Sequence, residues 1–254
     1  MNFDFVNTGD VDLVKSWIGK HTKAIYAETP SNPLMHVSNI QALAEVAHKH
    51  GLLLIVDNTF LTPYYQKPLD LGADIVIHSG TKYLGGHNDT LAGFAVVKTQ
   101  ALAEKIAYIY KTIGAALSPF DCFLIERGIK TLPLRMDKIS SNAKKIAEWL
   151  RCRKEVKKVY YIGFDDHEGY SVSQKQSTGF GGMISFEVES RELAERILKK
   201  VKIIQYAESL GGVDSLITYP MRQTHADVPE QERLARGIND RFLRISTGMK
   251  TKKI

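Results

Sequence analysis

Two short apolar runs in this chain end in residues able to do chemistry. Residues 52–56 (LLLIV) lead into Asp57-Asn58-Thr59, and residues 75–77 (IVI) lead into His78-Ser79-Gly80-Thr81-Lys82. Runs of this length, rich in β-branched residues and bounded by polar turn residues, read as buried parallel strands. Ligands of open α/β sheets bind beyond the carboxyl ends of the strands. An acid at one strand end, with hydroxyls, a glycine and a lysine at the next, suits an anionic, nitrogen-containing cofactor. A lysine amine that sheds its proton can hold an aldehyde as a Schiff base. A carboxylate keeps a pyridine nitrogen cationic, and only the cation is a strong electron sink. Hydroxyl and backbone N–H donors from Ser79, Gly80 and Thr81 can take a phosphate. Together these are the requirements of pyridoxal 5′-phosphate. Singly, the aspartate reads as a cap or turn residue and the lysine as part of a solvated loop, and spacing alone leaves those alternatives open.

The pattern around these residues alternates strand and helix, which indicates an α/β fold. A short amphipathic helix is expected at 11–18 and a strand at 24–27. A helix capped by Ser38 or Asn39 should run to His50, with Gly51 just past its end. Residues 68–72 suggest a short helix or turn. Residues 91–98 read as another strand, whose glycine would mark a close backbone approach. From 100 to 151 the pattern is helical, divided at Gly114 and Ser118-Pro119 and again at Leu132-Pro133. Strands are then expected at 156–162, 183–188, 203–205 and 242–246, with a polar loop at 163–177 and a helix at 192–200. This layout gives two domains, residues 1–130 with a mostly parallel sheet and residues 131–254 as a smaller α+β domain. Arg244 sits inside the apolar strand FLRIS, where a guanidinium is costly unless paired. It suits a bidentate grip on a carboxylate, an edge position or a structural ion pair.

Composition narrows the function classes. The net charge of +6 is scattered apart from residues 151–158 and 250–253, which read as a solvated helix end and a tail, so nucleic acid and membrane are not expected partners. No run reaches the length of a membrane span, and the acidic N-terminal stretch does not read as a signal peptide. Two cysteines, Cys122 and Cys152, without framework spacing fit a reducing cytoplasm. The histidines lack ligand spacing, so no metal is expected. Neither a P-loop, a GxGxxG nor a nucleophile elbow is present.

The segments ETPSNP (28–33), VDNTF (56–60), ADIVIHSGTKYLGGHND (73–89), AESLGGVDSLI (207–217) and LRISTG (243–248) resemble the cysteine/methionine-metabolism family of pyridoxal-phosphate enzymes, which includes cystathionine γ-synthases, γ-lyases and β-lyases. The motifs occur in the family's order along nearly the whole chain. The resemblance implies the aminotransferase-like (type I) pyridoxal-phosphate fold and a carbon–sulfur lyase or transferase working by γ-elimination or γ-replacement on cystathionine or an O-acylhomoserine. β-Lyase or methionine γ-lyase chemistry, or a non-catalytic truncated homologue, are the alternatives. It further implies Lys82 as the Schiff-base lysine, Asp57 at the pyridinium nitrogen, and Ser79 and Thr81 at the phosphate. Asn32 would lie near the cofactor and the substrate carboxylate, and Ser209 and Arg244 would hold that carboxylate. Glu208 would reach the distal ammonium of cystathionine and favours a γ-enzyme. Family members are homo-oligomers, dimers or tetramers of dimers, taking small amino-acid substrates. They begin upstream of this Met1 with a phosphate-binding turn and a ring-stacking aromatic, and end in a helix where this chain has residues 249–254. The chain is therefore expected to be truncated at both ends.

Overall fold

The structure, a computed structural model, describes residues 2–250; Met1 and residues 251–254, which hold most of the terminal lysine cluster, lie outside it. Two sheets organise the chain. The first contains β1 (Ala24–Glu28), β2 (Leu53–Asp57), β3 (Ile75–Ser79) and β4 (Gly93–Val97), in that spatial order. The first three run parallel and β4 is antiparallel. Strand alternation gives this sheet two unlike faces. One face sends Ile25, Ala27, Leu54, Val56 and Val76 onto α2 (Ile40–Lys49), which answers with Ile40, Leu43, Ala44 and Ala47 from a stripe of helical period. The other face carries Tyr26, Glu28, Asp57 and Ser79. Asn39 caps α2 by accepting from the Ala42 N–H at 3.1 Å, and Gly51 follows it at φ +68°, so both ends lie where the sequence put them. The flanking α1 (Val11–Ser16) contributes Val14 to the same core.

Three consecutive helices follow: α4 (Gln100–Ile113), α5 (Pro119–Lys130) and α6 (Leu132–Arg151). Their breaks fall at Gly114, which is left-handed, and before the two prolines. The long α6 serves both cores. Its Met136 and Ile139 pack into the cluster around Tyr83 and Met183, while Ala143, Ala147 and Leu150 pack into the cluster around Phe186 and Leu243. The second sheet has the order β5-β6-β9-β8-β7, formed by Val156–Tyr160, Met183–Val188, Phe242–Ser246, Leu216–Thr218 and Gln205–Tyr206. All of its pairings are antiparallel except β7 with β8. Helix α8 (Arg191–Lys200) covers it through Ala194 and Leu198.

Several expectations are corrected. Gly93 does not mark a close approach: a Cβ there would meet nothing within 4 Å, because it begins an exposed edge strand. The stretch 163–177 is not all loop, since α7 (Tyr170–Gln176) forms within it. The strand expected at 203–205 is shifted to Gln205–Tyr206, where β8 supplies its partner. Residues 68–72 form a turn, one of the two expected forms, and a short helix that was not expected, α3, lies earlier, at Thr62–Tyr65. Strand β8 and α9 (Glu230–Ala235) were not foreseen. No helix among the described residues is long and apolar enough to cross a membrane.

Candidate functional site

The carboxyl ends of β1, β2 and β3 and the middle of β9 converge on a hollow of about 220 Å³. Its wall brings together Asn32, Asp57, Ser79, Lys82, Ser209 and Arg244, six of the eight residues singled out from the sequence. Parallel register explains the first part of this set. Glu28 is paired with Asp57 across β1 and β2, and Asp57 with Ile77 across β2 and β3, so Ser79, two residues on, points from the same face. Asp57 is held by two donors: the Thr59 N–H at 2.9 Å and the Tyr26 hydroxyl at 3.2 Å. Thr59 in turn uses its hydroxyl to accept from the Ser79 N–H at 2.9 Å, tying the two strand ends together.

Lys82 lies at a kink in the turn Gly80–Leu84, with non-helical angles of its own (φ −93°, ψ −127°). The turn's carbonyls are held from α6, where the buried Arg135 donates to the oxygens of Tyr83 at 2.6 Å and Leu84 at 3.3 Å. The amine donates to the Ser209 hydroxyl at 3.3 Å and, among the described residues, meets no carboxylate within ion-pair reach. Burial, and secondarily the charge of Arg244, push its pKa below the usual lysine value, with Glu208 opposing. A lysine so placed releases its proton more readily than one in water.

Ser209, in the loop between β7 and β8, touches side chains from both sheets. Its φ of +84° is left-handed, a conformation that costs a non-glycine residue about 1–3 kcal/mol and persists where the surroundings impose it. In that conformation its hydroxyl meets Lys82 while its carbonyl accepts from Arg244 at 3.0 Å. Gly211 follows at φ +77°, and a Cβ there would lie 2.7 Å from the Tyr83 nitrogen, so only glycine lets this loop close on the lysine turn.

Arg244 is 1% exposed. It donates to the Asn32 side-chain oxygen at 2.7 Å, the Ser209 carbonyl and the Thr218 hydroxyl at 3.1 Å. All of these are neutral, and its buried Nε has no partner among the described residues. Burial lowers its pKa to about 10. A buried cation without an anion, with one N–H unspent, is a site shaped to receive a carboxylate.

The remaining two sequence candidates lie next door. Thr81 and Glu208 line an adjoining, more open hollow with the carboxylates Asp89 and Asp121, and Ser209 forms the shared wall. The Thr81 hydroxyl is spent on Ala92, donating to its carbonyl at 3.3 Å and accepting from its N–H at 3.0 Å. Residues the sequence did not single out also line the main hollow: Glu28, Phe60, Leu210 and Thr224. Glu28 ends its strand as Asp57 does, so the same strand-end rule would have found it. Thr224 follows a short turn with no pattern of its own. Among the described residues no group of three His, Cys, Asp or Glu side chains is placed to hold a metal ion.

The donor set fits pyridoxal phosphate on the structure's own terms. An amine with a lowered pKa and a carboxylate face one hollow on the scale of a substituted pyridine, with Ser79 and the Arg244 guanidinium also in its wall. Comparison with known proteins points the same way. The model of the family described as "Cys/Met metabolism PLP-dependent enzyme" matches residues 1–253. The chain is 48% identical over 245 residues to the cystathionine gamma-lyase of Bacillus subtilis, covering 96% of this chain and 65% of that one. It is 47% identical over 247 residues to a cystathionine beta-lyase of Lactococcus lactis, with 97% and 65% covered. The crystal structure of cystathionine gamma-lyase from Lactobacillus plantarum complexed with L-serine superposes with a TM-score of 0.96 at 46% identity, covering 99% of this chain and 66% of that one. The chain thus spans about two thirds of the length of the relatives it matches.

Proposed function

Because this chain belongs to the Cys/Met-metabolism family of pyridoxal-phosphate-dependent enzymes, we propose that it acts on sulfur amino acids as a carbon–sulfur lyase or transferase. The reaction is elimination or replacement of the γ-substituent of cystathionine or an O-acylhomoserine. The observation that carries this reading is Arg244, a buried cation with only neutral partners facing the hollow shared by Lys82 and Asp57.

In this reading Lys82, Asp57 and Ser79 hold the cofactor. Thr81 joins them at the phosphate only if its hydroxyl leaves Ala92. Bound there, pyridoxal phosphate supplies an electron sink beside the substrate's α-carbon. Arg244, which lines the hollow, binds the α-carboxylate and orients the amino acid. Asn32, already bonded to Arg244, keeps the guanidinium plane fixed. Lys82, with its lowered pKa, takes a proton from one substrate carbon and returns it at another. Ser209 holds the amine on line for that exchange through its hydroxyl. Asp57, anchored by Thr59 and Tyr26, would pair with the cofactor's ring nitrogen. Phe60 and Leu210 supply apolar wall that excludes water, which strengthens each of these contacts.

Glu208 supports γ- over β-chemistry. It lies in the adjoining acidic hollow, where in this reading it takes the distal ammonium of cystathionine. The β-lyase relative keeps β-elimination as the second reading. Residues 1–130 serve as the cofactor domain and 131–254 as the smaller domain, and the working protein is a cytoplasmic homo-oligomer. The test is a product assay with cystathionine. Homocysteine formation indicates β-cleavage and cysteine formation γ-cleavage; absence of both, together with no turnover of O-acylhomoserine and a thiol, defeats the proposal.

A further inference from the structure

Glu28 has a place in this site that the mechanism above does not use. It ends β1 beside Asp57, on the same face of the sheet, and lines the hollow with Lys82 and Arg244. One of its oxygens accepts from the Asn32 N–H at 3.3 Å. The Asn32 side-chain oxygen accepts from Arg244 at 2.7 Å. A carboxyl group and a guanidinium are therefore joined through one asparagine, its backbone facing the acid and its amide facing the base. We infer that Glu28 is the proton-accepting partner of this relay, and that it takes up a proton when a ligand carboxylate occupies Arg244.

Electrostatics fix the direction. The charged and titratable groups around Glu28 are Tyr26 on its own strand, Asp57 on β2, Lys82 on the turn after β3 and Arg244 on β9, with Glu208 and His225 beyond them. Burial raises the Glu28 pKa to about 7; Asp57 adds to the rise, while the Asn32 N–H and Arg244 oppose it. A ligand carboxylate on Arg244 brings one negative charge, which cancels the guanidinium's opposing influence. The proton then binds Glu28 more tightly in the complex than in the free protein. By linkage, the complex gains up to one proton above the free-state pKa. Carboxylate affinity must then fall with rising pH, by up to about tenfold per pH unit. The inference rests on the reading of Arg244 as the carboxylate site, and its test separates the two.

The probe is radiolabelled propionate, which has the carboxylate but no amine. Its binding to the purified chain is measured by equilibrium dialysis from pH 6 to 8.5. Wild type should weaken steadily above pH 7, and Glu28→Gln should show a nearly flat profile. Lys82→Gln should keep the slope, which excludes titration of the lysine as its source. Circular dichroism checks that each variant is folded, with Glu28→Asp as the second acidic variant expected to retain a slope. A flat wild-type profile, or an unchanged slope in Glu28→Gln, overturns the role of Glu28 and leaves Arg244 standing. Failure of wild type to bind propionate, or equal binding by Arg244→Met, overturns both.

Discussion

Arg135 and Arg244 are both almost wholly buried, at 2% and 1% exposure, and neither contacts a carboxylate. Their surroundings nevertheless differ in kind. Arg135 spends every nitrogen on the protein: Nε on the Thr131 hydroxyl, and the two terminal nitrogens on the carbonyls of Tyr83, Leu84 and Gly128. Arg244 lines the hollow and leaves its buried Nε without a partner among the described residues. One guanidinium is a clamp that fixes the backbone beside Lys82; the other is reserved for something outside the chain. Burial alone does not mark a functional arginine. The unspent donor does.

Removing each side chain should therefore have opposite consequences. Arg135→Met removes the donor of the Tyr83 and Leu84 carbonyls and should cost about 2–5 kcal/mol of stability, read as a shift of the urea midpoint. Arg244→Met should lower carboxylate affinity by about 2–4 kcal/mol, roughly 30- to 1,000-fold. Because it also removes an uncompensated buried charge, it should leave thermal stability unchanged or higher. Equal destabilisation by the two changes would erase the distinction. Gly211→Ala lies between the regions: its left-handed φ and a Cβ 2.7 Å from the Tyr83 nitrogen predict a loss of about 1–3 kcal/mol in stability, with weaker attachment of cofactor at the displaced Lys82.

The smallest effect sharpens the comparison by pH. The folded-state pKa of Glu28 is raised above that of an unfolded glutamate, to about 7. Between those two values the native state holds a proton that the unfolded state has released, so this group's contribution destabilises progressively as pH rises through that window. Glu28→Gln should be more stable than wild type at pH 8 by about 1–2 kcal/mol, a figure reduced for the side chain's partial exposure. The advantage should vanish below about pH 4.5. Denaturant unfolding at the two pH values measures it.

What the sequence made legible was local. The β-branched runs placed β2 and β3, and the polar residues that terminate them placed Asp57 and Lys82 on one sheet edge. Asn39, Gly114 and the two helix-starting prolines marked helix ends, because capping and proline geometry act within a few residues. Arg135 was invisible, since its role depends on carbonyls about fifty positions away that any sequence would supply. The difference between Ser79 and Thr81 was equally hidden. They are two residues apart, yet the strand ends at Ser79 and the turn carries Thr81 round to Ala92. Strand β8 is three residues buried on every side, so it has no alternation to read, and α9 buries only Arg233, so it has no apolar stripe. Arg244 was the exception, because a cation inside an apolar strand is anomalous whatever its partner.

The central claim is that the Lys82 amine carries the cofactor. Pyridoxal phosphate added to the purified chain, followed by borohydride reduction and peptide mapping, tests it directly. The account predicts a single pyridoxyl label on Lys82, lost in Lys82→Ala. Labelling spread over surface lysines, with Lys82 unmodified, would contradict it.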